Sequence, residues 1–525
     1  MSLLLMLAFF IPLQNQAPGQ CSLSGTVVDS ITSEPLNKVN LRLEPPNSQA
    51  MHVSVTTSDA EGRFALVNLE PGSYRLRGNR NGYLETSYGA RRPDSDGSPV
   101  RIEAGQSLNG LNFKLMPAGV IAGTVRDSDG EPLEGADVTL ASSTYRYGKP
   151  RVVGHNRTAT DDRGEYRFRG LAAGKYYIGV EPKSYGLDQV DHSASSGPME
   201  NSVATLYPGV SDMAMAAPIE VSTGAHVTGI DVTLLRSRVL RVSGQVVNAP
   251  APSSLTVELI DIKNAGMRGY NFRTSTRDAA GDFEFRGVPP GSYELSVGEE
   301  SLWGRASVVV SGSDLEDIRV PLALGAEIQL RITTEGAAKP SVSGLEFFLR
   351  ANRGGEFSPS EPDGMTIRNV PPDHYVLDIG GMPPGFYVKS IRAGDLDVLA
   401  DGLTVTGAGT IDVAIAVASD GSAVQGVVRD KNEQPVSGAT ILLAPDRRSR
   451  ADLFRTTTTD QNGHYECAAI TPGNYEMFAW EDVEPMAWQD PDFLEGYEKQ
   501  GEKMALKPGT RAGLDLHLAI RPDRP

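Results

Sequence analysis

Hydrophobic and polar residues alternate with a period of two along most of this chain, in short runs that end at turn-forming residues. The first run, Gly25-Thr26-Val27-Val28-Asp29, recurs in related form at Gly123, Gly244 and Gly426. A period of two places alternate side chains on one face of a strand, so each run predicts a half-buried β-strand that ends at a turn. No window of twelve or more residues keeps a convincing helical period. The pattern therefore predicts an all-β protein.

A second signature follows each first strand. Asp59-x-x-Gly62-x-Phe64 leads to Leu69-x-Pro71-Gly72-x-Tyr74. Equivalent tyrosines give unit spacings of 102, 117, 82 and 100 residues, at Tyr176, Tyr293, Tyr375 and Tyr475. An aspartate that caps backbone N–H groups and a glycine with positive φ explain the first turn, and Pro-Gly explains the second. We expect all five tyrosines to be structural, with buried rings and hydroxyls bonded to nearby backbone.

A third signature closes each unit. Gly105 is followed at +6, +8 and +10 by Leu111, Phe113 and Leu115, a spacing that recurs after Gly224 and Gly312 and is one residue shorter after Gly509. We interpret it as a closing hairpin. About seven strands per unit, with turn signals every eight to twelve residues, predict a Greek-key β-sandwich.

The predicted organisation is a tandem array of five sandwiches behind a signal peptide. The predicted ranges are 1–20 for the signal peptide, 21–117 for module 1, 118–236 for module 2, 237–323 for module 3, 324–421 for a degenerate module 4, and 422–525 for module 5. Module 4 is degenerate because Asp373 stands where the other units have the glycine before the tyrosine.

The apolar run from Ser2 to Pro12 predicts export. It is too short for a membrane helix, which needs about twenty residues, and it fits the apolar region of a secretory signal. A stray apolar tail is the alternative. The expected location is secreted, periplasmic or in the cell envelope. Only two cysteines are present, Cys21 and Cys467, so we expect no disulfide framework.

The combined pattern is best preserved in module 2, at Gly123, Val125, Asp127, Gly135, Ala136, Asp161, Gly164, Tyr166, Gly174 and Tyr176. It resembles the carboxypeptidase regulatory-like domain, a transthyretin-like, Ig-like β-sandwich related to collagen-adhesin B-type repeats and starch-binding-like folds. The resemblance covers almost the whole chain after residue 21. It implies the fold and says little about function, because the matching residues belong to turns and core.

Charge and missing motifs exclude several functions. The net charge of −17 repels phosphate backbones, so nucleic acid is not an expected partner. The sequence has no H-E-x-x-H, G-x-S-x-G or phosphate-loop motif, and no histidine is followed by glutamate at +3. We interpret Cys467 as a core thiol, and the Asp127 and Asp161 clusters as turn caps. The prediction is a protein that is not an enzyme and has no cofactor or metal.

One acidic insertion in module 5 lies outside the repeat pattern and is the predicted ligand site. Its residues are Trp480, Glu481, Asp482, Trp488, Asp490, Asp492 and Tyr497. Related folds bind polysaccharide with exposed aromatic rings and carboxylates, so a sugar that stacks on two exposed indoles is one interpretation. The alternatives are that a partner protein or a neighbouring module covers these rings, or that the rings cover a sheet edge. A smaller aromatic set lies in module 2, at Tyr145, Tyr147, Tyr177 and Tyr185.

The sequence thus predicts an exported, non-catalytic binding or spacer protein of the cell envelope. A polysaccharide or a cell-surface protein is the expected partner, with carbohydrate binding as the specific activity and no membrane span. The alternative is an accessory subunit that presents its modules to a separate hydrolase or outer-membrane transporter.

Overall fold

The structure is a computed structural model of the 525-residue chain. It describes residues 21–45, 53–146, 149–182, 199–248, 254–264, 267, 271–277, 280–299, 301–336, 344–351, 356–359, 364–383 and 385–520. The predicted signal peptide lies outside these residues, as do Tyr147 and Tyr185. Strand content is 59% and helix content is 5%, which confirms the all-β prediction.

The strands can be grouped by the predicted module ranges. Module 1 has β1 (Cys21–Asp29), β2 (Asn40–Glu44), β3 (Ser54–Thr57), β4 (Arg63–Leu69), β5 (Gly72–Asn79), β6 (Thr86–Ser87), β7 (Val100–Ile102) and β8 (Ser107–Leu115). Module 2 has β9 (Gly119–Arg126), β10 (Asp137–Arg146), β11 (Lys149–Ala159), β12 (Glu165–Leu171), β13 (Gly174–Glu181), β14 (Met199–Val203), β15 (Thr205–Leu206), β16 (Ile219–Val221), β17 (His226–Val227) and β18 (Val232–Thr233). Module 3 has β19 (Leu235–Val247), β20 (Thr256–Asp261), β21 (Asn271–Ser275), β22 (Asp282–Val288), β23 (Gly291–Glu299), β24 (Leu302–Val310) and β25 (Leu315–Pro321).

Strand β26 (Ala323–Leu324) leads into module 4. Module 4 then has β27 (Ala326–Glu335), β28 (Glu346–Ala351), β29 (Glu356–Phe357), β30 (Thr366–Val370), β31 (Asp373–Gly380), β32 (Tyr387–Ala393), β33 (Leu396–Asp397), β34 (Leu403–Val405) and β35 (Gly409–Ala418). Module 5 has β36 (Ser422–Arg429), β37 (Thr440–Pro445), β38 (Arg455–Thr458), β39 (His464–Ile470), β40 (Gly473–Trp480), β41 (Glu502–Leu506), β42 (Arg511–Gly513) and β43 (Leu516–His517). The described α-helices are α1 (Val398–Asp401) and α2 (Pro491–Glu495), and single 3₁₀ turns span Met213–Met215, Ala451–Leu453, Ala487–Gln489 and Glu498–Gln500.

Each module is built on two sheets, one around its first strand and one around the strand that begins near the tyrosine. Two departures occur: β14 of module 2 pairs with β19 of module 3, and module 4 adds β32 and β33 to its first sheet. In module 1 one sheet has the order β4-β1-β8, and the other has β3-β2-β5 with β6 and β7 also on β5. The first strand is antiparallel to β4 and parallel to the closing strand β8. The same parallel pairing of first and closing strands recurs in modules 2 to 5. The chain therefore enters each sandwich at one end and leaves it at the other.

The closing hairpin predicted from the third signature is wrong. Strand β7 pairs with β5 in one sheet, whereas β8 pairs with β1 in the other. Gly105, with φ of 74°, lies in the turn between these strands, where the chain crosses from one sheet to the other. Strand β8 carries the buried side chains of Leu111, Phe113 and Leu115. Their alternation therefore indicates a strand that covers the core.

The five tyrosines are structural, as predicted. Each hydroxyl donates to the backbone carbonyl four residues earlier, with O–O distances of 2.8 Å for Tyr74, 2.9 Å for Tyr176, 2.9 Å for Tyr293, 2.7 Å for Tyr375 and 2.7 Å for Tyr475. The last four rings are buried in the cores of their modules, whereas the ring of Tyr74 is half-buried and packs against the core of module 1. Burial raises the pKa of all five phenols, that of Tyr475 to about 12. The bond ties each tyrosine to the turn that precedes its strand.

The Asp-x-x-Gly turns also match the prediction. One oxygen of Asp59 accepts from the backbone N–H groups of Glu61 and Arg63, at 3.0 and 2.7 Å. Asp161 and Asp460 make the same pair of bonds in modules 2 and 5. The hydrogen bonds of these carboxylates go to the turn itself, which explains the aspartate without a bound metal ion.

The first-strand glycine has a steric cause. A methyl group added to Gly426 would lie less than 3.0 Å from the backbone of Leu514, because the closing strand approaches the first strand closely there. Gly25, Gly123 and Gly244 meet the same obstacle. Module 4 has Leu330 at this position, and its parallel ladder runs through ten residue pairs without a register shift. The glycine is thus required where the backbone of the closing strand comes this close, and the continuous ladder of module 4 accommodates a leucine instead.

We predict that Gly426→Ala destabilises module 5 by about 1–3 kcal/mol, since the added methyl group overlaps backbone that cannot move aside cheaply. Gly513→Ala is the matched control, because no atom lies within 4 Å of a methyl group added there. Thermal unfolding followed by circular dichroism measures both. Equal unfolding midpoints for the two variants would contradict this explanation of the glycine.

We predict that Tyr176→Ala lowers the stability of module 2 by about 3 kcal/mol or more through lost aromatic burial. Tyr176→Phe keeps the ring and should cost about 1 kcal/mol, the net contribution of the hydroxyl bond to Ala172. Denaturant unfolding separates the two effects. A Tyr176→Ala variant as stable as the wild type would refute the structural role.

Candidate functional site at the contact between modules 1 and 5

The structure buries the aromatic residues that the sequence offered either as a sugar-binding surface or as rings covered by protein. Trp480 is 2% exposed, Trp488 8% and Tyr497 6%. They pack in one hydrophobic cluster with Leu442, Ala444, Phe454, Phe478 and Leu494. The expectation of two exposed indoles is therefore wrong. The insertion folds into short helical turns, one of which carries Trp488. Both indoles are thus covered by residues of module 5 itself.

Strand β40 explains why these rings are buried. Its last six residues, from Tyr475 to Trp480, are all buried. Met477 and Ala479 face the core between the two sheets, whereas Phe478 and Trp480 face the insertion and stack with ring centroids 5.4 Å apart. A continuous apolar run is typical of a strand covered on both faces. A second hydrophobic cluster, on the outer face of β40, could be predicted from the run Met477-Phe478-Ala479-Trp480.

One of the predicted acidic residues has a structural role inside the insertion. Asp490 is the N-cap of α2 and accepts from the backbone N–H of Asp492 at 3.0 Å. Pro491 occupies the first position of this helix, where a proline costs no hydrogen bond. Asp492, in the first turn, is exposed. The contacts of Asp490 order the cover over the indoles, whereas Glu481, Asp482 and Asp492 face outward.

Glu481 and Asp482 meet a basic loop of module 1. The guanidinium of Arg91 lies 2.7 Å from a carboxylate oxygen of Glu481, and Arg92 donates to Asp482 at 2.7 Å. Both arginines belong to the connection between β6 and β7. Carboxylates suit a hydroxyl-rich or a cationic ligand. In the structure a cationic partner comes from the same chain.

Further polar contacts extend this junction, which we call the 1–5 contact. The side-chain amide of Gln461 accepts from the backbone N–H of Arg101 at 3.0 Å and donates to its carbonyl at 2.9 Å. Thr458 donates to the carbonyl of Gly97 at 2.9 Å. The guanidinium of Arg101 lies 3.5 Å from Glu466. Gln461 thereby binds the backbone of strand β7 as a neighbouring strand would.

A cleft of about 710 Å³ lies beside the 1–5 contact, with walls from both modules. Its side chains include four carboxylates and four amides, from Glu103, Asp460, Glu466, Asp515, Gln106, Gln425, Gln461 and Asn462. Arg101 and His464 complete the polar lining. Such a surface offers hydrogen bonds to hydroxyl groups and repels anions. In the described part of the chain, no group of three or more His, Cys, Asp or Glu side chains is arranged to hold a metal ion.

The cysteines are core residues. Cys467 is 5% exposed in β39, and burial raises the pKa of its thiol to about 11, so the thiolate is scarce at neutral pH. Cys21 is fully buried, and its thiol donates to the carbonyl of Glu103. The prediction of a core thiol at Cys467 is confirmed. None of the helices in the described ranges has the length and apolar character of a membrane span.

Sequence reasoning missed the module 1 half of the contact. Arg91, Arg92 and Arg101 belong to no repeat signature, and they lie 360 or more residues from their partners. Two adjacent arginines in a polar loop normally indicate a solvated surface. Their pairing depends on how the five modules are arranged in space, which no local pattern encodes.

We predict that Trp480→Ala lowers the stability of module 5 by about 3–5 kcal/mol, because a buried indole is replaced by a cavity. Glu481→Gln is the control from the same insertion, and a change at this exposed side chain should stay within about 0.5 kcal/mol. Differential scanning calorimetry measures both. A Trp480→Ala variant that melts like the wild type would mean that the indole is exposed after all.

Comparison with known proteins gives a family and distant relatives. The model of the carboxypeptidase regulatory-like domain matches residues 22–116, 120–204 and 423–519. Serine-aspartate repeat-containing protein F of Staphylococcus epidermidis is 23% identical over 401 residues, which cover 67% of this chain and 22% of that protein. This chain thus spans only a minor part of the length of the curated relatives that it matches.

Solved structures of pilins are also similar. The minor pilin GBS52 of Streptococcus agalactiae shows 13% identity, covers 41% of this chain and 95% of its own, and has a TM-score of 0.22. The shaft pilin SpaA of Lactobacillus rhamnosus GG shows 10% identity with coverages of 42% and 98% and a TM-score of 0.20.

Proposed function

The chain belongs to the carboxypeptidase regulatory-like domain family, and we propose that it is an exported, non-catalytic binding and spacer protein of the cell envelope. The family model covers just over half of the residues. The apolar run from Ser2 to Pro12 supports export. The modules supply a rigid scaffold, and binding belongs to surfaces outside the repeat.

One observation carries this proposal: the repeat signatures consist of residues with structural roles. The tyrosine hydroxyls bond to the preceding turn, and the described turn aspartates bond to backbone N–H groups. The first-strand glycines make room for the closing strand. A signature that repeats for such reasons stabilises a fold and supplies no reactive group. Surface insertions are then the places where modules differ and where binding residues sit.

We place the proposed carbohydrate ligand in the cleft beside the 1–5 contact and not on the buried indoles. The amides of Gln425 and Asn462 are exposed there, close to the carboxylates of Glu466 and Asp515. Amide and carboxylate groups bond sugar hydroxyls in both directions, as donors and as acceptors. A neutral, hydroxyl-rich ligand suits this lining, whereas a sulfated or phosphorylated glycan would meet several negative charges.

A glycan array with the full chain tests the proposal. We expect binding to neutral polysaccharide that falls at least tenfold in a variant with Gln425→Ala and Asn462→Ala. Asn432→Ala is the matched control, because it removes an exposed asparagine from a turn of the same module that does not line the cleft. Absence of binding to every neutral glycan would contradict the carbohydrate ligand. Recovery of intact chain from the cytoplasm alone would contradict export.

A further inference from the structure

The 1–5 contact joins two different surfaces of one chain. The module 1 surface carries Arg91, Arg92 and Arg101, and the module 5 surface carries Glu481, Asp482 and Glu466. Adjacent arginines pair with adjacent acids in the same order along the two segments. Such a contact is heterologous, because each surface fits the other and neither fits itself. Two copies of the chain can therefore make the same contact with each other.

We propose that these surfaces also join a second copy of this chain, so that module 1 of each copy binds module 5 of the other. This exchange uses the pairings already present in the single chain and requires no new contact. It is the same kind of exchange as domain swapping, in which identical elements change places between copies. The occupant of the opened module 5 surface is thus the basic loop of a second copy.

The 1–5 contact is polar and half-exposed, which favours its release. The side chains of Arg91, Glu481, Arg92 and Asp482 are 45%, 57%, 35% and 49% exposed, so solvent and salt screen these pairs strongly. Among the described residues, no hydrophobic cluster combines residues of modules 1 and 5. Interfaces without a large apolar area are the ones at which neighbouring domains move.

The junction between modules 2 and 3 shows the contrast. Ala141 and Leu206 of module 2 pack with Met267 of module 3 in a shared hydrophobic cluster, and Tyr177 packs against it. The buried side chain of Asn264 bonds across the same junction to the backbone of Ser211 and Met213. We therefore expect the 1–5 contact to separate before this junction does.

Contact within one chain dominates at low concentration, because tethered surfaces meet at a high effective concentration. Exchange between copies becomes competitive when the chain concentration approaches that value. At a crowded cell surface, or after a change that weakens closure within the chain, the two-copy form should appear. The proposal does not depend on carbohydrate binding, so the two can fail separately.

Exchanged charges test the proposal. One variant carries Arg91→Glu and Arg92→Glu, and the other carries Glu481→Arg and Asp482→Arg. Alone, each variant brings like charges together at the contact, both within a chain and between copies. In an equimolar mixture, module 1 of each variant meets a complementary module 5 on the other. We expect light scattering to show a complex of twice the 56.1 kDa chain mass in the mixture only, and 1 M salt to dissociate it.

A matched control uses an ion pair that lies within one module. Arg241 pairs with Glu316 inside module 3, so a mixture of Arg241→Glu and Glu316→Arg chains should stay monomeric. The milder variants Arg92→Glu and Asp482→Arg repeat the test if a double variant folds poorly. A mixture of well-folded exchange variants that stays monomeric at every concentration would overturn the proposal. A complex in the control mixture would do so too, since it would show non-specific charge pairing.

Discussion

A tyrosine that packs its ring against the core and donates its hydroxyl to the carbonyl four residues earlier is the constraint that all five sandwiches share. It closes the turn before a central strand and fixes the ring in the core, so the second sheet is held against the first. Module 4 shows that the tyrosine is kept where other residues of the repeat are replaced. That module replaces the first-strand glycine by Leu330 and the turn glycine by Asp373, yet Tyr375 stays fully buried with its bond to Pro371. Asp373 gains a different role there, an ion pair with Arg305 of module 3 at 2.8 Å.

The features that depend on neighbouring residues could be predicted from the sequence. A turn aspartate, a left-handed glycine and an alternating strand are each determined by residues within about fifteen positions, which is why the sandwich fold and the tyrosine corners could be predicted. The direction of the closing strand could not, because alternation after Gly105 is the same for a hairpin and for a parallel strand. The burial of Trp480 could be predicted from the sequence of β40, because the alternation of apolar and polar residues stops there.

The arrangement of the modules changes how the acidic insertion is understood. A linear string would leave Glu481 and Asp482 in solvent and available to a ligand. Contact between the first and last modules instead pairs them with Arg91 and Arg92 and leaves a polar cleft at the junction. The binding proposed above therefore uses a surface created between modules, while the repeated residues maintain the modules themselves.

The distance between modules 1 and 5 tests this account most directly. Asp94 and Glu484 are exposed and each lies two residues from an ion pair of the contact, so cysteines introduced at both positions can carry spin labels. The native cysteines are buried and should stay unlabelled. The account predicts one short, narrow distance by pulsed electron paramagnetic resonance in dilute, low-salt solution. A broad distribution of long distances in the same solution would show an open string and contradict it.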